Sequence, residues 1–106
     1  MAEDARIIYD EICSALTAMT EATQGKMFGM PCLKIGSKVF AGFYRDAMIF
    51  KLNGTTHAQA LALPGAHLFD PGGMGRAMKE WVVVPAEHAN SWMDYAGAAL
   101  SYVGGV

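Results

Sequence analysis

Three short apolar segments lie between residues 33 and 52, and only turn-forming residues separate them. Residues 33–35 and 39–44 flank the segment 36–38, which reads Gly-Ser-Lys and is typical of a hairpin loop. Arg45 and Asp46 then turn the chain into a third segment, residues 47–52. These patterns predict an antiparallel meander of three strands in the middle of the chain.

The length of the first hairpin loop decides which side chains share a face of the sheet. A one-residue slip turns every side chain of a strand to the other face. We expect a three-residue loop, because a two-residue loop breaks the apolar grouping. The residues that a three-residue loop places on one face are Leu33, Ile35, Val39, Ala41 and Phe43.

Helical periods flank the meander on both sides. A first amphipathic helix is predicted from about Ala5, with Gly25 as its stop, and a short helix is predicted from Asn53 to about Leu63. A final helix is predicted to start at Ala86. The apolar positions of the first helix are Ile8, Ile12, Leu16 and Met19. Those of the final helix are Ala89, Trp92, Ala96, Ala99 and Val103.

Residues 67–69 and 79–84 predict two further strands around the glycine-rich loop 71–76. The element order is therefore α-β-β-β-α-β-β-α. This order predicts one two-layer α+β domain over residues 1–106, with a five-stranded antiparallel sheet and its helices on one side. The expected core residues are Phe50, Trp81, Val83 and Trp92, and the methionines that fit core positions are Met19, Met48 and Met93.

Composition excludes several classes of protein. The chain of 106 residues is 53% hydrophobic and 17% charged, which is too apolar for a disordered chain. Its longest uncharged stretch, residues 52–69, contains asparagine, glutamine, histidine, glycine and proline, so we expect no membrane span. The acidic residues Glu3 and Asp4 stand where a secretory signal is basic, and we expect the cytoplasm as location.

The charges divide along the chain although the net charge is only −2. Residues 1–25 carry a net −4, residues 26–79 a net +5 and residues 80–106 a net −3. The basic middle could bind an anion or a nucleic acid, but a solvated face is the simpler explanation, since so few cations make a weak patch. The candidate contact residues are Lys34, Lys38, Arg45, Lys51, Arg76 and Lys79.

No catalytic or metal-binding motif emerges from the sequence. His57, His67 and His88 lie on three different predicted elements without ligand spacing. Cys13 and Cys32 are expected to be free, buried thiols. A zinc site, or a nucleophile pair of Cys32 with His67, is open but less favoured. We therefore expect no catalytic residues, no metal and no cofactor.

One run of residues resembles the N-terminal domain of the TfoX competence-regulator family and its free-standing relatives. The likeness covers about residues 8–103, and its later part is the apolar pattern of residues 48–52 and 81–85. The most specific residues are Met27, Phe28, Gly29, Gly36, Lys38, Phe40 and Ala41. The resemblance implies the element order given above, an arrangement shared with bacterial secretion chaperones. It also implies a role associated with transcription and competence regulation, without catalytic residues.

Three functions stay open at this point. The first is a non-enzymatic regulatory domain that binds another protein. The second is direct nucleic-acid binding through a basic sheet face, and the third is an enzyme with an unrecognised site. We also expect a homodimer, because a chain this apolar has more hydrophobic side chain than a small core can hide. The exposed sheet face is expected to carry Phe40 and Tyr44 beside Lys34 and Lys38.

Overall fold

The computed structural model describes residues 2–27, 29–70 and 78–105. The helices are α1 (Ala2–Met19), α2 (Gly54–Leu61) and α3 (Trp92–Gly104), and a 3-10 segment, Ala86–Ser91, precedes α3. The strands are β1 (Thr23–Met27), β2 (Met30–Ile35), β3 (Lys38–Tyr44), β4 (Ala47–Lys51), β5 (His67–Phe69) and β6 (Met78–Pro85). In the part of the chain that is described, no helix combines the length and the apolar character that a membrane crossing requires.

The strands form one open antiparallel sheet in the order β1-β2-β3-β4-β6-β5. The α+β class is confirmed, but the expected count of five strands is wrong, because β1 adds a sixth. Gly25 does not end the first helix; it lies in β1 opposite Cys32. The helix ends at Met19 instead. There the Thr20 hydroxyl donates to the Leu16 carbonyl (2.6 Å) and accepts from the Ala22 amide (3.0 Å).

The β2–β3 hairpin has a two-residue turn, not the expected three-residue loop. Ile35 pairs with Lys38 across Gly36 and Ser37, and Gly36 has φ 62°. A bulge follows, because Lys34 pairs with Val39 while Leu33 pairs with Ala41. The bulge returns the strands to the expected grouping except at Val39, which packs on the other face.

The helices and one face of the sheet enclose a core that we call the helix-side core. Ala5, Tyr9 and Ile12 of α1 reach it, as do Ala60 of α2 and Trp92 of α3. Phe40 is buried there, so the expectation that it lies on an exposed sheet face is wrong. The strands and Leu52, which follows β4, supply its other buried members: Leu33, Ala41, Met48, Phe50, Leu52, Val82 and Val84.

A second apolar cluster, the far-face cluster, lies on the opposite face of the sheet. In β6, Trp81 and Val83 alternate with Val82 and Val84, so the two pairs point to opposite faces. Trp81 and Val83 are buried as expected, but in this second cluster. The buried members are Met30, Ala47, Ile49, Phe69, Trp81 and Val83. This face therefore does not expose the apolar surplus that the composition suggested.

The exposed apolar side chains that the structure describes lie on the helices instead. Ile7 is 54% exposed and Met19 is 79% exposed on α1, and Met93 is 40% exposed on α3. Met48 is buried, as expected. The expectation that Met19 and Met93 are core residues is wrong, because both turn away from the sheet.

Trp92 joins α3 to the sheet, and we expect Trp92→Ala to lower the free energy of unfolding by about 3 to 5 kcal/mol. The side chain is fully buried, and its indole N–H donates to the Val84 carbonyl at 3.1 Å. Trp92→Phe should cost less, because it keeps most of the packing and loses the hydrogen bond. Urea denaturation measures both variants. A loss below about 1 kcal/mol for the alanine variant would show that α3 does not depend on this anchor.

Candidate functional site

The predicted basic residues lie at the two ends of the sheet and form no single patch. The strand register places Lys34, Lys38, Lys51 and Lys79 toward one end. Arg45 follows the last residue of β3, so the length of that strand puts it about 20 Å from Lys38. Arg76 lies outside the described residues, as do Phe28 of the family motif and the glycine-rich loop 71–75.

The lysine end of the sheet also carries acidic charge and a helix terminus. Lys38 and Lys51 line a hollow of about 340 Å³ with Tyr102 and Val103, which belong to the last turn of α3. Glu80 lies 3.7 Å from the Lys51 ammonium and accepts a hydrogen bond from the Tyr102 hydroxyl, which raises the pKa of Tyr102. Lys38 and Lys51 therefore lie near the negative end of the α3 dipole, and α3 has no basic residue in its own last turn.

The three imidazoles are each bonded to a backbone carbonyl. His57 Nε2 donates to the Lys79 carbonyl and His88 Nε2 to the Pro64 carbonyl, both at 2.8 Å. His67 Nδ1 lies 3.0 Å from the Leu68 carbonyl. Since a carbonyl oxygen only accepts, each of these ring nitrogens carries the hydrogen. No group of three metal-ligating side chains occurs within residues 2–27, 29–70 and 78–105.

The thiols lie close to a buried phenol. Cys13 and Cys32 are free and buried, and burial raises the pKa of both thiols. Lys34 partly opposes this shift at Cys32. Burial also raises the pKa of Tyr9, whose hydroxyl has no hydrogen bond of normal geometry within the described residues. Both thiols are therefore held in the protonated form, which is a poor nucleophile.

The far face has a second hollow, at the end of the sheet opposite the lysines. Its volume is about 270 Å³, and we call it the Arg45 hollow. The β3–β4 turn forms one wall, and His67 of β5 lies on the other side. The lining residues are Tyr44, Arg45, Asp46, Ala47, His67, Val83, Pro85 and Ala86. Arg45 is one of the predicted contact residues, but no local pattern indicates the hollow, because β3, β4, β5 and β6 all contribute to it.

Most of the described residues that carry the TfoX resemblance lie at turns or in the apolar clusters. Met27 is half-buried and packs against the far-face cluster, and Phe40 and Ala41 belong to the helix-side core. Gly29 and Gly36 have φ values of 76° and 62°, a left-handed backbone that glycine adopts without strain. These positions therefore determine turns and packing, and Lys38 is the motif residue that lines a hollow.

The outer edge of β1 is the remaining exposed feature of the sheet. Among the described strands, β1 is terminal and pairs with β2 alone. Thr23, Gln24 and Lys26 are exposed. The opposite edge, β5, has three residues and an irregular register with β6. β1 is therefore the longer and more regular of the two edges.

No family model, curated protein or solved structure matches the chain. Its function is therefore inferred from these side chains and strand edges.

We expect the free energy of unfolding to fall as the pH rises above about 9, the ordinary pKa of a thiol. The folded state raises the pKa of Cys13, Cys32 and Tyr9, so the unfolded chain loses these protons first. The contribution of these groups to the free energy of unfolding is therefore fully present below about pH 9 and declines above it. Urea denaturation between pH 7 and 10.5 tests this, at intervals of about half a unit.

Tyr9→Phe is the matched variant for the alkaline effect. It removes one of the three groups and should reduce the decline, while stability at pH 7 stays equal or rises because an unpaired buried hydroxyl is lost. A free energy of unfolding that is constant over the whole pH range would contradict the prediction.

Proposed function

We propose that this chain is a non-enzymatic, regulatory interaction domain that binds proteins by strand addition at β1, and that its first partner is a second copy of itself. The observation that carries the proposal is the outer edge of β1, with which no other described strand pairs. The resemblance to the TfoX family supports the regulatory part of the proposal.

An edge strand presents unpaired backbone N–H and C=O groups that another strand can satisfy. Proteins commonly protect such edges with charge, bulges or very short strands. β5 is short and irregular, whereas β1 has five residues in regular register with β2, and Lys26 is its own charged residue. The geometry of β1 therefore favours addition of a further strand.

The sequence of β1 suits pairing with itself about a two-fold axis. Gly25 is its middle residue, so an antiparallel pair centred there places Gln24 of one copy opposite Lys26 of the other. Amide and ammonium groups are compatible in this position, and neither lysine stands directly opposite its equivalent. The two sheets then become continuous through a closed, two-fold symmetric interface.

The side chains that nucleophilic chemistry would use have other roles in the fold. His57 joins α2 to β6, and His88 joins the 3-10 segment to Pro64. Burial keeps both thiols protonated. These contacts support an interaction domain over an enzyme.

Charge changes at Gln24 test the proposed register. Gln24→Lys puts like charges directly opposite Lys26 twice in each dimer, and we expect it to weaken dimerisation by about threefold to tenfold. Gln24→Glu puts opposite charges there and should strengthen dimerisation by a similar factor. Sedimentation equilibrium measures the dissociation constant of each variant at low salt.

Gln59 provides the matched control, because it is an exposed glutamine on α2, away from the β1 edge. Gln59→Lys and Gln59→Glu should leave the dissociation constant unchanged. A wild-type chain that sediments as an 11.3 kDa monomer at high micromolar concentration would overturn the proposal. Equal dissociation constants for both Gln24 variants would overturn the β1 register.

Nucleic-acid binding is the second candidate, since four lysines lie toward one end of the sheet. The sequence pI of about 5.8 and the contacts of Lys51 with Glu80 oppose it. We expect no retardation of a duplex or single-stranded oligonucleotide in a gel-shift assay at physiological salt. Retardation that falls with added salt and with Lys38→Ala would favour this candidate instead.

A further inference from the structure

The β3–β4 turn places two charged residues in a backbone conformation that suits glycine. Arg45 has φ 49° and Asp46 has φ 63°. Two-residue hairpin turns with positive φ at both positions prefer Asn-Gly or Asp-Gly. Aspartate tolerates the left-handed region, but arginine is strained there, because its Cβ lies too close to the following carbonyl oxygen. Backbone strain of this kind is typical of residues at catalytic or ligand-binding sites.

The Arg45 guanidinium packs on one aromatic ring, which a second ring supports. Its guanidinium lies 5.1 Å from the centroid of the Tyr44 ring. Tyr44 in turn contacts Phe69 edge to face, with 5.1 Å between the ring centroids, and Phe69 is buried in the far-face cluster. Arg45 is therefore a positioned cation at the wall of the Arg45 hollow, although its side chain is exposed to solvent.

Neither charged residue of the turn has an ion-pair partner in the part of the chain that the structure describes. No ion pair within residues 2–27, 29–70 and 78–105 includes Arg45 or Asp46, even though they are neighbours of opposite sign. Ala47 and Val83, which are almost fully buried, contribute apolar surface between them and His67. The hollow thus combines a cation, an anion and an apolar wall.

We propose that the Arg45 hollow binds a small α-amino acid with an apolar side chain. The guanidinium of Arg45 binds the carboxylate, Asp46 binds the ammonium group, and Ala47 and Val83 contact the side chain of the ligand. A volume of about 270 Å³ suits a ligand smaller than a typical drug. This site lies at the end of the sheet opposite the lysines and does not depend on the dimer proposed above.

L-leucine is the probe, and two analogues remove one charged group each. 4-Methylpentanoate lacks the ammonium group, and 3-methylbutylamine lacks the carboxylate. We expect saturable amide chemical-shift changes for leucine at Ala47, His67 and Val83, with a dissociation constant in the micromolar to millimolar range. Each analogue should bind about tenfold more weakly, because one charge-assisted contact is lost.

Three substitutions test the turn without straining it. Arg45→Gly should abolish leucine binding and leave the melting temperature equal or higher, because glycine adopts a φ of 49° without cost. Arg45→Asn gives a second variant that tolerates this backbone. Asp46→Asn should weaken leucine about tenfold and leave 4-methylpentanoate unchanged. Lys38→Ala, at the other end of the sheet, should bind leucine like the wild type.

Three results would overturn the proposal. The first is the absence of saturable shifts at Ala47, His67 and Val83 up to about 10 mM leucine, a concentration that covers the weakest expected affinity. The second is unchanged leucine binding in a folded Arg45→Gly variant. The third is equal affinity for leucine and 4-methylpentanoate, which would exclude a role for Asp46.

Discussion

The pairing of β4 with β6 joins the two halves of the chain. Ile49 and Phe50 of β4 stand opposite Val83 and Val82 of β6, across an intervening segment that contains α2 and β5. Both strands are buried on both faces, since Phe50 and Val82 lie in the helix-side core while Ile49 and Val83 lie in the far-face cluster. Without this pair, the meander β1 to β4 and the segment from β5 to α3 have no common sheet.

The same pair explains why polar chemistry is confined to the ends and one edge of the sheet. Central strands that are buried on both faces contain continuous apolar runs, and a charged group there has no partner. The lysines, the Arg45 turn and the β1 edge are therefore where water can reach charged or unpaired groups. The buried polar atoms of Cys13, Cys32 and Tyr9 stay neutral for the same reason.

Gly42 of β3, between β2 and β4, has a packing role. At Gly42, which pairs with both Cys32 and Ile49, an added Cβ would lie 3.2 Å from the Pro31 carbonyl and 3.3 Å from Ile49 Cγ1. The Ile49 side chain therefore uses the space that a larger residue would fill. Lys34 covers Gly25 in a similar way at the edge, where its Cε lies 3.0 Å from the position of an added Cβ. The strand register thus aligns Gly25, Cys32 and Gly42 in one row of small residues. This row runs from the β1 edge to Ile49 of the far-face cluster.

The sequence by itself determined the elements with strong periodicity: the helices around Ile12 and Trp92, the β3 and β4 strands, and the buried run of β6. Residue spacing is a local property, and these segments contain enough apolar residues for the helical or strand period to be recognised. β1 was missed because Thr-Gln-Gly-Lys-Met is polar and forms a strand only through its pairing with β2.

Tertiary structure alone decided the face of each apolar residue and the location of the candidate site. The two-residue turn pairs Val39 with Lys34 and so places it on the far face, and the bulge that follows returns Ala41 to the helix side; no local pattern encodes that shift. The Arg45 hollow needs β3, β4, β5 and β6 side by side, and their order in the sheet differs from their order in the chain. Adjacency across the sheet is set by long-range packing, whereas periodicity records only which side of its own element a residue occupies.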